Sequence, residues 1–386
     1  MSKWKTFKLG DVVKINPSSI GKLYHHQVIE YLDIASVGTN VCHGTKTYDL
    51  QSAPGRAKRL VQNGDTIVST VRPNLKSFWK VKNPQDNLVV STGFAVLRPS
   101  AAVDSDYLFY SVSSQEYIDY LSAIADSKTT SYPAVDSDDI ANSSIALPPI
   151  KIQQKIGAIL SAYDDLIENN TRRIAILEAM AQRLYREWFV HFRFPGCEKT
   201  KMVESEIGAI PKGWNLCQLG EIADFKYGKG LRKEERVNGN YPVYGSSGIV
   251  DYHSAFLIEG PGVIIGRKGN VGSAFFSDNH FYPIDTVYYT ESQLDIYYLF
   301  YLLRNMTFIS GDSAVPGLNR ESALKMKVLI PDQRTISLFS VTVSCFIKQK
   351  NLLDKKNANL CRTRDLLLSP LILGRLDVSE LDVKIA

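Results

Sequence analysis

The sequence predicts an α+β fold in which two mixed, strand-rich domains are separated by a pair of long antiparallel helices forming a coiled coil, with a pseudo-twofold internal repeat. Three observations support this prediction. Landmarks recur in the same order along both halves of the 386-residue chain. Each half also contains a long segment with apolar residues at helical spacing, and short apolar runs bounded by glycine occupy much of the rest.

The internal repeat is defined by landmarks at two fixed offsets. Trp4 is followed five residues later by Leu9-Gly10, and Trp214 is followed five residues later by Leu219-Gly220, an offset of 210 residues. The later landmarks share an offset of 183 residues and are the pairs 133–135 (PAV) with 316–318 (PGL), 145–148 (IALP) with 328–331 (VLIP), Leu177 with Leu360, and Leu184 with Leu367. Chance is the alternative, because Leu-Gly and Leu-Pro are common pairs, but the preserved order favours a duplicated plan.

The strand-rich parts follow the two Trp landmarks. The runs 65–71 (DTIVSTV) and 262–266 (GVIIG) are short, apolar and next to glycine, which is typical of buried strands. The segments 106–120 and 294–305 are predicted to be short helices. The predicted bounds are 1–148 for the first domain, 149–194 for the first long helix, 195–213 for a polar connector, 214–331 for the second domain, 332–376 for the second long helix and 377–386 for a tail.

An apolar stripe predicts the first long helix. Its members, spaced by three or four residues, are Ile152, Ile156, Ile159, Tyr163, Ile167, Asn170, Ile174, Leu177, Ala181, Leu184 and Trp188. A helix of about 40 residues is roughly 60 Å long, and its single stripe needs a partner, which the repeated segment 335–368 can supply. Asn170 either fixes the register of this pair or faces water at its edge. The expected core or assembly positions are Ile156, Tyr163, Asn170, Leu177, Leu184, Leu360 and Leu367.

The composition is that of an ordinary globular protein. Apolar residues make up 44% and charged residues 22% of the chain, which excludes a disordered or fibrous protein. The net charge of +5 permits nucleic-acid binding but does not argue for it alone. No signal peptide is predicted, and the longest apolar run, 296–303, is far short of the ~20 residues of a membrane span. The five scattered cysteines predict reduced thiols in a cytoplasmic protein.

Basic loops are the candidate nucleic-acid contacts. The segment 264–272 (IIGRKGNVG) places two cations and an amide among glycines, which let a backbone approach a phosphate closely. Arginine can also read guanine, and asparagine can read adenine. A solvated β-turn is the alternative interpretation of such a loop. The candidate residues are Arg72, Asn74 and Lys76 in the first domain and Lys229, Arg232, Arg267, Lys268 and Asn270 in the second.

The familiar motifs of catalysis are missing from the sequence. It contains no Gly-x-x-x-x-Gly-Lys-Ser/Thr loop, no Asn/Asp-Pro-Pro-Tyr/Phe methyltransferase motif, no His-Glu-x-x-His and no Gly-x-Ser-x-Gly. Pro331-Asp332 with Asp354 could be forced into a nuclease pattern, but Pro331 is a repeat landmark and Asp354 lies in a predicted helix. His25-His26 and Cys42-His43 lack regular ligand spacing. We therefore predict no catalytic residue and no metal site.

Taken together, these features resemble the specificity (S) subunit of type I restriction–modification systems. The resemblance covers nearly the whole chain and includes the paired landmarks and the two long helices. Its local segments are 64–73 (GDTIVSTVRP), 91–99 (STGFAVLRP), 184–189 (LYREWF), 241–245 (YPVYG), 265–272 (IGRKGNVG) and 364–371 (RDLLLSPL).

The resemblance implies a non-catalytic DNA-binding subunit. Each strand-rich part would be a target recognition domain reading half of a bipartite site on double-stranded DNA, and the helix pair would set the unread spacer. Two methyltransferase subunits would dock on this chain, and restriction subunits would join them. S-adenosylmethionine would belong to the methyltransferase subunit, which flips adenine out of the duplex, and ATP and Mg²⁺ to the restriction subunit. The chain itself would bind no cofactor and no membrane, and it would act in the cytoplasm.

Some departures from the repeat leave the alignment of the second helix open. They are Lys350 at the position of Ile167 and Arg364 at that of Ala181. Two rival functions also stay open from the sequence. One is a self-contained nuclease or methyltransferase, and the other is a coiled-coil interaction module whose globular ends bind protein or glycan.

Overall fold

The computed structural model describes residues 4–128, 133–308 and 317–383. The chain forms two compact units: unit 1 comprises Met1–Thr171 with Lys355–Ala386, and unit 2 comprises Arg172–Asp354. Each long helix contributes one part to each unit. The repeat landmark Pro316 lies outside the described residues.

Unit 1 contains two four-stranded sheets and one two-stranded sheet. Its strands are β1 (Lys5–Lys8), β2 (Val13–Ile15), β3 (Val28–Leu32), β4 (Lys46–Asp49), β5 (Ala57–Leu60), β6 (Thr66–Ser69), β7 (Phe78–Lys80), β8 (Leu88–Ser91), β9 (Phe94–Pro99) and β10 (Ser144–Leu147). Its helices are α1 (Leu9–Val12), α2 (Ser105–Val112), α3 (Gln115–Lys128), α4 (Ser137–Asn142) and the first part of α5 (Ile150–Tyr185). The sheet orders are β2-β9-β6-β7, β4-β3-β8-β5 with β3 parallel to β8, and β1-β10.

The main core of unit 1 lies between the sheet β2-β9-β6-β7 and the helices. Val68 of β6 packs with Tyr107 of α2 and with Ile156 and Leu160 of α5, all of them buried. All four residues of β6 are buried, as expected for the predicted strand. The predicted single helix 106–120 is instead two helices. The chain breaks at Ser114, whose hydroxyl donates to the Ser111 carbonyl and accepts from the backbone N–H of Tyr117 at the start of α3.

Unit 2 repeats this plan with a smaller second sheet. Its strands are β11 (Met202–Ser205), β12 (Gly208–Pro211), β13 (Asn215–Gln218), β14 (Ala223–Tyr227), β15 (Tyr241–Gly245), β16 (Gly248–His253), β17 (Gly262–Gly266), β18 (Ala274–Ser277), β19 (Tyr282–Pro283), β20 (Val287–Ser292) and β21 (Lys327–Ile330). Its helices are the end of α5, α6 (Ile296–Asn305), α7 (Arg320–Leu324) and the first part of α8 (Gln333–Ile372). The sheet orders are β14-β20-β17-β18, β16-β15-β19 with β15 parallel to β19, β13-β21 and β11-β12.

Aromatic rings dominate the core of unit 2. Phe189 lies in edge contact with Tyr298 and Phe339, at centroid separations of 4.9 and 5.0 Å, and it also approaches Trp214. Phe189 belongs to a π-helical turn, Arg186–Val190, that continues α5. Within the predicted connector the chain forms the β11–β12 hairpin, which the sequence interpretation did not include.

The predicted internal repeat is confirmed down to strand register. Strand β1 pairs with β10 so that Lys5 faces Leu147, and β13 pairs with β21 so that Asn215 faces Ile330. These partners are related by the two sequence offsets of 210 and 183. The Tyr107 hydroxyl donates to the Ala146 carbonyl at 2.6 Å, and the Tyr298 hydroxyl donates to the Leu329 carbonyl at 3.0 Å, so the packing of the first domain helix on this strand pair is repeated as well.

The Leu-Gly landmark has a packing explanation. A Cβ atom at Gly10 would lie 3.0 Å from the Cβ of Ala141, and one at Gly220 would lie 3.2 Å from the Cβ of Leu324. Glycine therefore lets the start of each domain approach a short helix, α4 in unit 1 and α7 in unit 2. The preceding leucines donate their N–H groups to equivalent carbonyls, those of Ser143 and Met326.

The long helices run antiparallel within each unit, as the sequence predicts. In unit 1, Asp164 pairs with Arg364 and Asn170 pairs with Asn357, so contacts move forward along α5 and backward along α8. Unit 2 shows the same direction, because Glu178 pairs with Lys350 and Tyr185 contacts Phe339.

The described residues include no helix with both the length and the apolar character of a membrane span.

Candidate nucleic-acid interface

The candidate residues of unit 1 lie on a strained loop after β6. A short 3₁₀ turn, Pro73–Leu75, is flanked by Arg72 at φ +47° and Lys76 at φ +57°. Residues other than glycine rarely adopt this left-handed conformation, and they keep it only where surrounding contacts enforce it. The side chains of Arg72 and Asn74 are exposed, and Lys76 is half-buried.

Contacts from three directions hold this loop. The Arg72 N–H donates to the Pro133 carbonyl at 2.9 Å. The Lys76 ammonium donates to Oε1 of Gln115 on α3 at 2.7 Å, and the Lys76 carbonyl accepts from the Thr39 hydroxyl at 3.1 Å. The loop therefore presents Arg72 and Asn74 from a fixed backbone, which is what recognition of bases or phosphates requires.

In unit 2 the corresponding loop follows β17. The backbone N–H groups of Arg267 and Lys268 donate to the Thr286 carbonyl, and the Arg267 carbonyl accepts from the Leu318 N–H at 2.8 Å. Lys268 forms an isolated bridge with Gly317, as Val71 does with Ala134 in unit 1. Since positions 134 and 317 are related by the 183-residue offset, the same repeated segment pins the loop after the central strand in both units.

Glycine is required for the tight course of this second loop. A Cβ atom at Gly266 would lie 2.1 Å from the carbonyl oxygen of Asn270, which also accepts the Ser273 hydroxyl at 2.7 Å. A side chain at this position would force the loop open. The closed turn leaves the Asn270 side chain exposed beside the half-buried Lys268.

The structure brings the loop after β14 to the same place. The Lys229 N–H donates to the Pro283 carbonyl at 3.0 Å. Pro283 lies three residues before Thr286, whose carbonyl accepts from Arg267 and Lys268. Arg232 lies further along this loop, at the start of a 3₁₀ turn, where its N–H donates to the Glu235 carboxylate. The exposed side chains of Lys229 and Arg232 are available for phosphate contacts.

Tyr227, which the sequence interpretation did not select as a candidate residue, lies against Arg267. The Arg267 guanidinium lies 4.8 Å from the centroid of the Tyr227 ring and 5.8 Å from that of Tyr288, and its Nη1 donates to the Asp285 carbonyl at 3.0 Å. Burial raises the pKa of Tyr288, so its hydroxyl stays protonated. Such stacking fixes the plane of a guanidinium. An aromatic residue between a lysine and a glycine was the available sequence signal.

The predicted helix positions are placed as follows. Ile156 belongs to the core of unit 1, and Asn170 is buried and donates to Oδ1 of Asn357 at 2.9 Å. The remaining positions are half-buried: Tyr163, Leu177, Leu184, Leu360 and Leu367. The charged departures from the apolar stripe have partners on the opposite helix, Glu178 for Lys350 and Asp164 for Arg364.

No metal centre accompanies these loops. Among the described residues, no group of three or more His, Cys, Asp and Glu side chains is arranged to hold a metal ion. The five cysteines are free thiols. Both loops carry cations and an amide, and in unit 2 the Tyr227 ring lies against Arg267. Such groups can bind nucleic-acid backbones and base edges.

Comparison with known proteins agrees with the family resemblance found in the sequence. The family model of the type I restriction modification DNA specificity domain matches residues 1–179 and 211–356. The chain is 24% identical over 470 residues to the type I restriction enzyme HindI specificity subunit of Haemophilus influenzae, covering 97% of this chain and 100% of that protein. It is 26% identical over 409 residues to the MjaIX specificity subunit of Methanocaldococcus jannaschii, covering 98% and 90% of the two chains.

A solved structure supports the same fold. The type I restriction–modification S subunit from M. genitalium aligns with a TM-score of 0.60 at 18% identity, covering 96% of each chain. The two matches of the family model span most of this chain and correspond to its two repeated halves. Specificity subunits recognise DNA and are not the catalytic members of these systems, which agrees with the expectation that this chain is not an enzyme. The chain therefore belongs to the family of DNA specificity subunits of type I restriction–modification systems.

Proposed function

We propose that the two recognition domains, 1–148 and 214–331, each read one half of a bipartite DNA site. The observation that carries this proposal is the repeated loop: after β6 and after β17, a cationic loop is pinned by the same repeated segment. A duplicated reader suits a site with two separated halves, because each copy can diverge in its exposed side chains while its backbone support is retained.

The long helices fit the role of a spacer and assembly surface. We propose that segments 149–194 and 332–376 set the unread distance between the half-sites, with 195–213 as connector and 377–386 as tail. Two methyltransferase subunits would dock on the helices and recognition domains, and restriction subunits would complete the complex. S-adenosylmethionine would be bound by the methyltransferase subunits and ATP with Mg²⁺ by the restriction subunits, and the complex would act on DNA in the cytoplasm.

The proposed DNA contacts are the eight residues predicted from the sequence, with Tyr227 added as a support for Arg267. Arg267 is the strongest candidate for a base contact, because contacts with the Tyr227 ring and the Asp285 carbonyl orient its guanidinium plane. Lys229 and Arg232 are better suited to phosphate, because they are exposed on a separate loop. Neither role requires any chemistry from this chain.

The experiment is to assemble the chain with its methyltransferase subunits and to map adenine methylation on a random DNA library. The expected result is one asymmetric sequence with two specific parts and a fixed unread gap. Methylation without sequence preference, or at a single continuous site, would contradict the proposal. Methyl transfer by this chain alone would support the rival reading as a self-contained methyltransferase.

A substitution tests the assignment of the loop. Arg267→Ala is expected to cost about 1–3 kcal/mol of specific binding if the side chain reads a base. The matched control is Arg304→Ala, which removes the same charge from α6, where the guanidinium lies over Phe300. An unchanged affinity for the cognate site after Arg267→Ala would remove this residue from the interface.

A further inference from the structure

A buried carboxylate connects the loop after β6, residues 72–76, to the helix pair. Asp164 lies on α5 with only 9% of its side chain exposed. Its Oδ2 accepts from the Tyr110 hydroxyl at 2.6 Å and from Nδ2 of Asn40 at 2.9 Å. Its Oδ1 accepts from the Arg364 guanidinium on α8. One carboxylate thus joins a domain helix, a domain turn and both long helices within unit 1.

The groups that contact Asp164 are a charged guanidinium and a protonated hydroxyl. Burial alone would lower the pKa of Arg364, but the adjacent Asp164 carboxylate outweighs this effect and raises it, so the guanidinium stays charged. Burial also raises the pKa of Tyr110 far above its usual range, so its hydroxyl acts as a donor. A buried charge with a fixed counter-charge and satisfied oxygens has one preferred geometry.

The turn that contains Asn40 connects Asp164 to the loop after β6. Asn40 has a left-handed backbone, at φ +54°, in a turn closed by the Gly38 N–H on the Val41 carbonyl at 2.9 Å. Its neighbour Thr39 donates its hydroxyl to the carbonyl of Lys76 at 3.1 Å. The Asn40 N–H donates to the Phe78 carbonyl at 2.7 Å, just after the loop. One short turn therefore contacts Asp164 on one side and the strained loop on the other.

Among the residues that the structure describes, unit 2 supports its loop without such a link. The turn after β15 holds the loop in a similar way, since the Ser246 carbonyl accepts from the Ser273 hydroxyl at 2.8 Å. At the repeat positions of Asp164 and Arg364, however, unit 2 has Ile347 and Ala181, both buried and apolar. The polar connection between helix pair and loop is therefore a feature of unit 1.

We propose that Asp164 and Asn40 are positioning residues for recognition of the first half-site. They fix the turn that contacts the carbonyl of Lys76 at the end of the strained loop, so that accurate reading by the first domain depends on its attachment to the helix pair. The inference rests on the proposed function, since it assumes that this loop reads DNA. It assigns no DNA contact to Asp164 or Asn40 themselves.

The test uses the chain assembled with its methyltransferase subunits and the bipartite site found by methylation mapping. Three duplexes are compared: the cognate site, a site altered in the first half, and a site altered in the second half. The variants are Asn40→Ala, which removes the amide donor, and Asn40→Asp, which places a second carboxylate against Asp164. Lys350→Met, which removes partly exposed ion pairs with Glu178 and Asp354 in unit 2, is the matched control.

Both variants are expected to reduce discrimination at the first half-site by about tenfold or more, because each loses one hydrogen bond to a buried charge. Discrimination at the second half-site should be unchanged. An equal loss at both halves, or unchanged discrimination at the first, would overturn the inference. If the unaltered complex selects no bipartite site, the proposed function fails instead.

Discussion

The two units pack a domain helix against the long helices with different kinds of side chain, polar in unit 1 and apolar in unit 2. Where the first domain helix meets the long helices in unit 1, Tyr110, Asp164 and Arg364 form a buried polar network. The repeat positions of the latter two in unit 2 are Ile347 and Ala181, which line a pocket of about 390 Å³ beside Tyr301. The fold is therefore retained while the side chains that fill this junction are not.

The difference separates two consequences of burial. Apolar contacts stabilise a helix pair but tolerate shifts, and they leave a pocket in unit 2 where side chains do not fill the space. A satisfied polar network accepts one arrangement, because any shift leaves a charge or a donor unpaired. We therefore expect unit 1 to be the more specifically aligned unit and unit 2 the more tolerant one.

Removal of one charge should have the largest effect. Arg364→Met leaves the buried Asp164 carboxylate without its counter-charge, and we expect a loss of about 3–5 kcal/mol in the free energy of unfolding. Lys350→Met in unit 2 removes partly exposed pairs with Glu178 at 3.5 Å and Asp354 at 3.2 Å and should cost no more than about 1 kcal/mol. Urea denaturation followed by circular dichroism measures both. Similar losses for the two variants would contradict the comparison.

The second-largest effect is expected at the N-terminal caps of the domain helices α2 and α6. Asp104 and Asp295 each accept two backbone N–H groups at the start of α2 and α6, but Asp295 also accepts the hydroxyl of buried Ser340. The residue equivalent to Ser340 in unit 1 is Gly157.

We expect Asp104→Ala to cost about 1–2 kcal/mol. Asp295→Ala should cost about 2–4 kcal/mol, because it also leaves a buried hydroxyl unpaired. The same denaturation measurement applies, and Asp295→Ala with Ser340→Ala should reduce the cost of the unit 2 variant toward that of unit 1, because alanine removes the hydroxyl without the helix cost of glycine. No recovery in this double variant would show that the hydroxyl is not the cause.

The asparagine pair offers a smaller effect of opposite sign. Asn170 and Asn357 occupy the repeat positions of Leu353 and Ile174 in unit 2. Converting unit 1 to the pattern of unit 2, with Asn170→Leu and Asn357→Ile, should raise stability by about 1 kcal/mol while weakening the specification of register. Denaturation measures the gain, and hydrogen exchange along both helices measures the loss of a single alignment. A destabilised double variant would indicate that the pair contributes more than register.

The smallest expected effect is a pH dependence confined to unit 1. The side chain of Lys128, together with the backbone N–H of Asp139, lowers the pKa of Asp136 to about 2. Because the folded pKa lies below the ordinary value, this stabilisation is present above about pH 4 and is lost as the pH falls toward 2.

The equivalent cap in unit 2 is the uncharged Asn319. Asp136→Asn should therefore flatten the acid dependence of stability, by no more than about 1 kcal/mol for this exposed pair. Thermal unfolding at pH 5, 4 and 3 checks the change, with Asn319→Ala as the control whose effect should not vary with pH. An unaltered acid dependence in Asp136→Asn would contradict the assignment.

The sequence predicted the features that repeat. The Trp and Leu-Gly landmarks mark the start of each domain because glycine must approach a helix there, and the same two offsets reappear as strand register. The loops after β6 and β17 were identifiable because cations follow an apolar run directly. The stacking of Arg267 on Tyr227 was not, since 40 residues and three strands separate the pair in sequence.

By itself, the sequence determined the duplicated plan, the antiparallel helix pair and the positions of the cationic loops after β6 and β17, because these depend on local periodicity and on repeated short motifs. Only the tertiary structure decided which polar residues became structural. Asp164 is one charged residue among many on a long helix, and it acquires its role from Asn40, Tyr110 and Arg364, which lie between 54 and 200 residues away. The energy of a buried charge depends on such distant partners, and no local pattern encodes them.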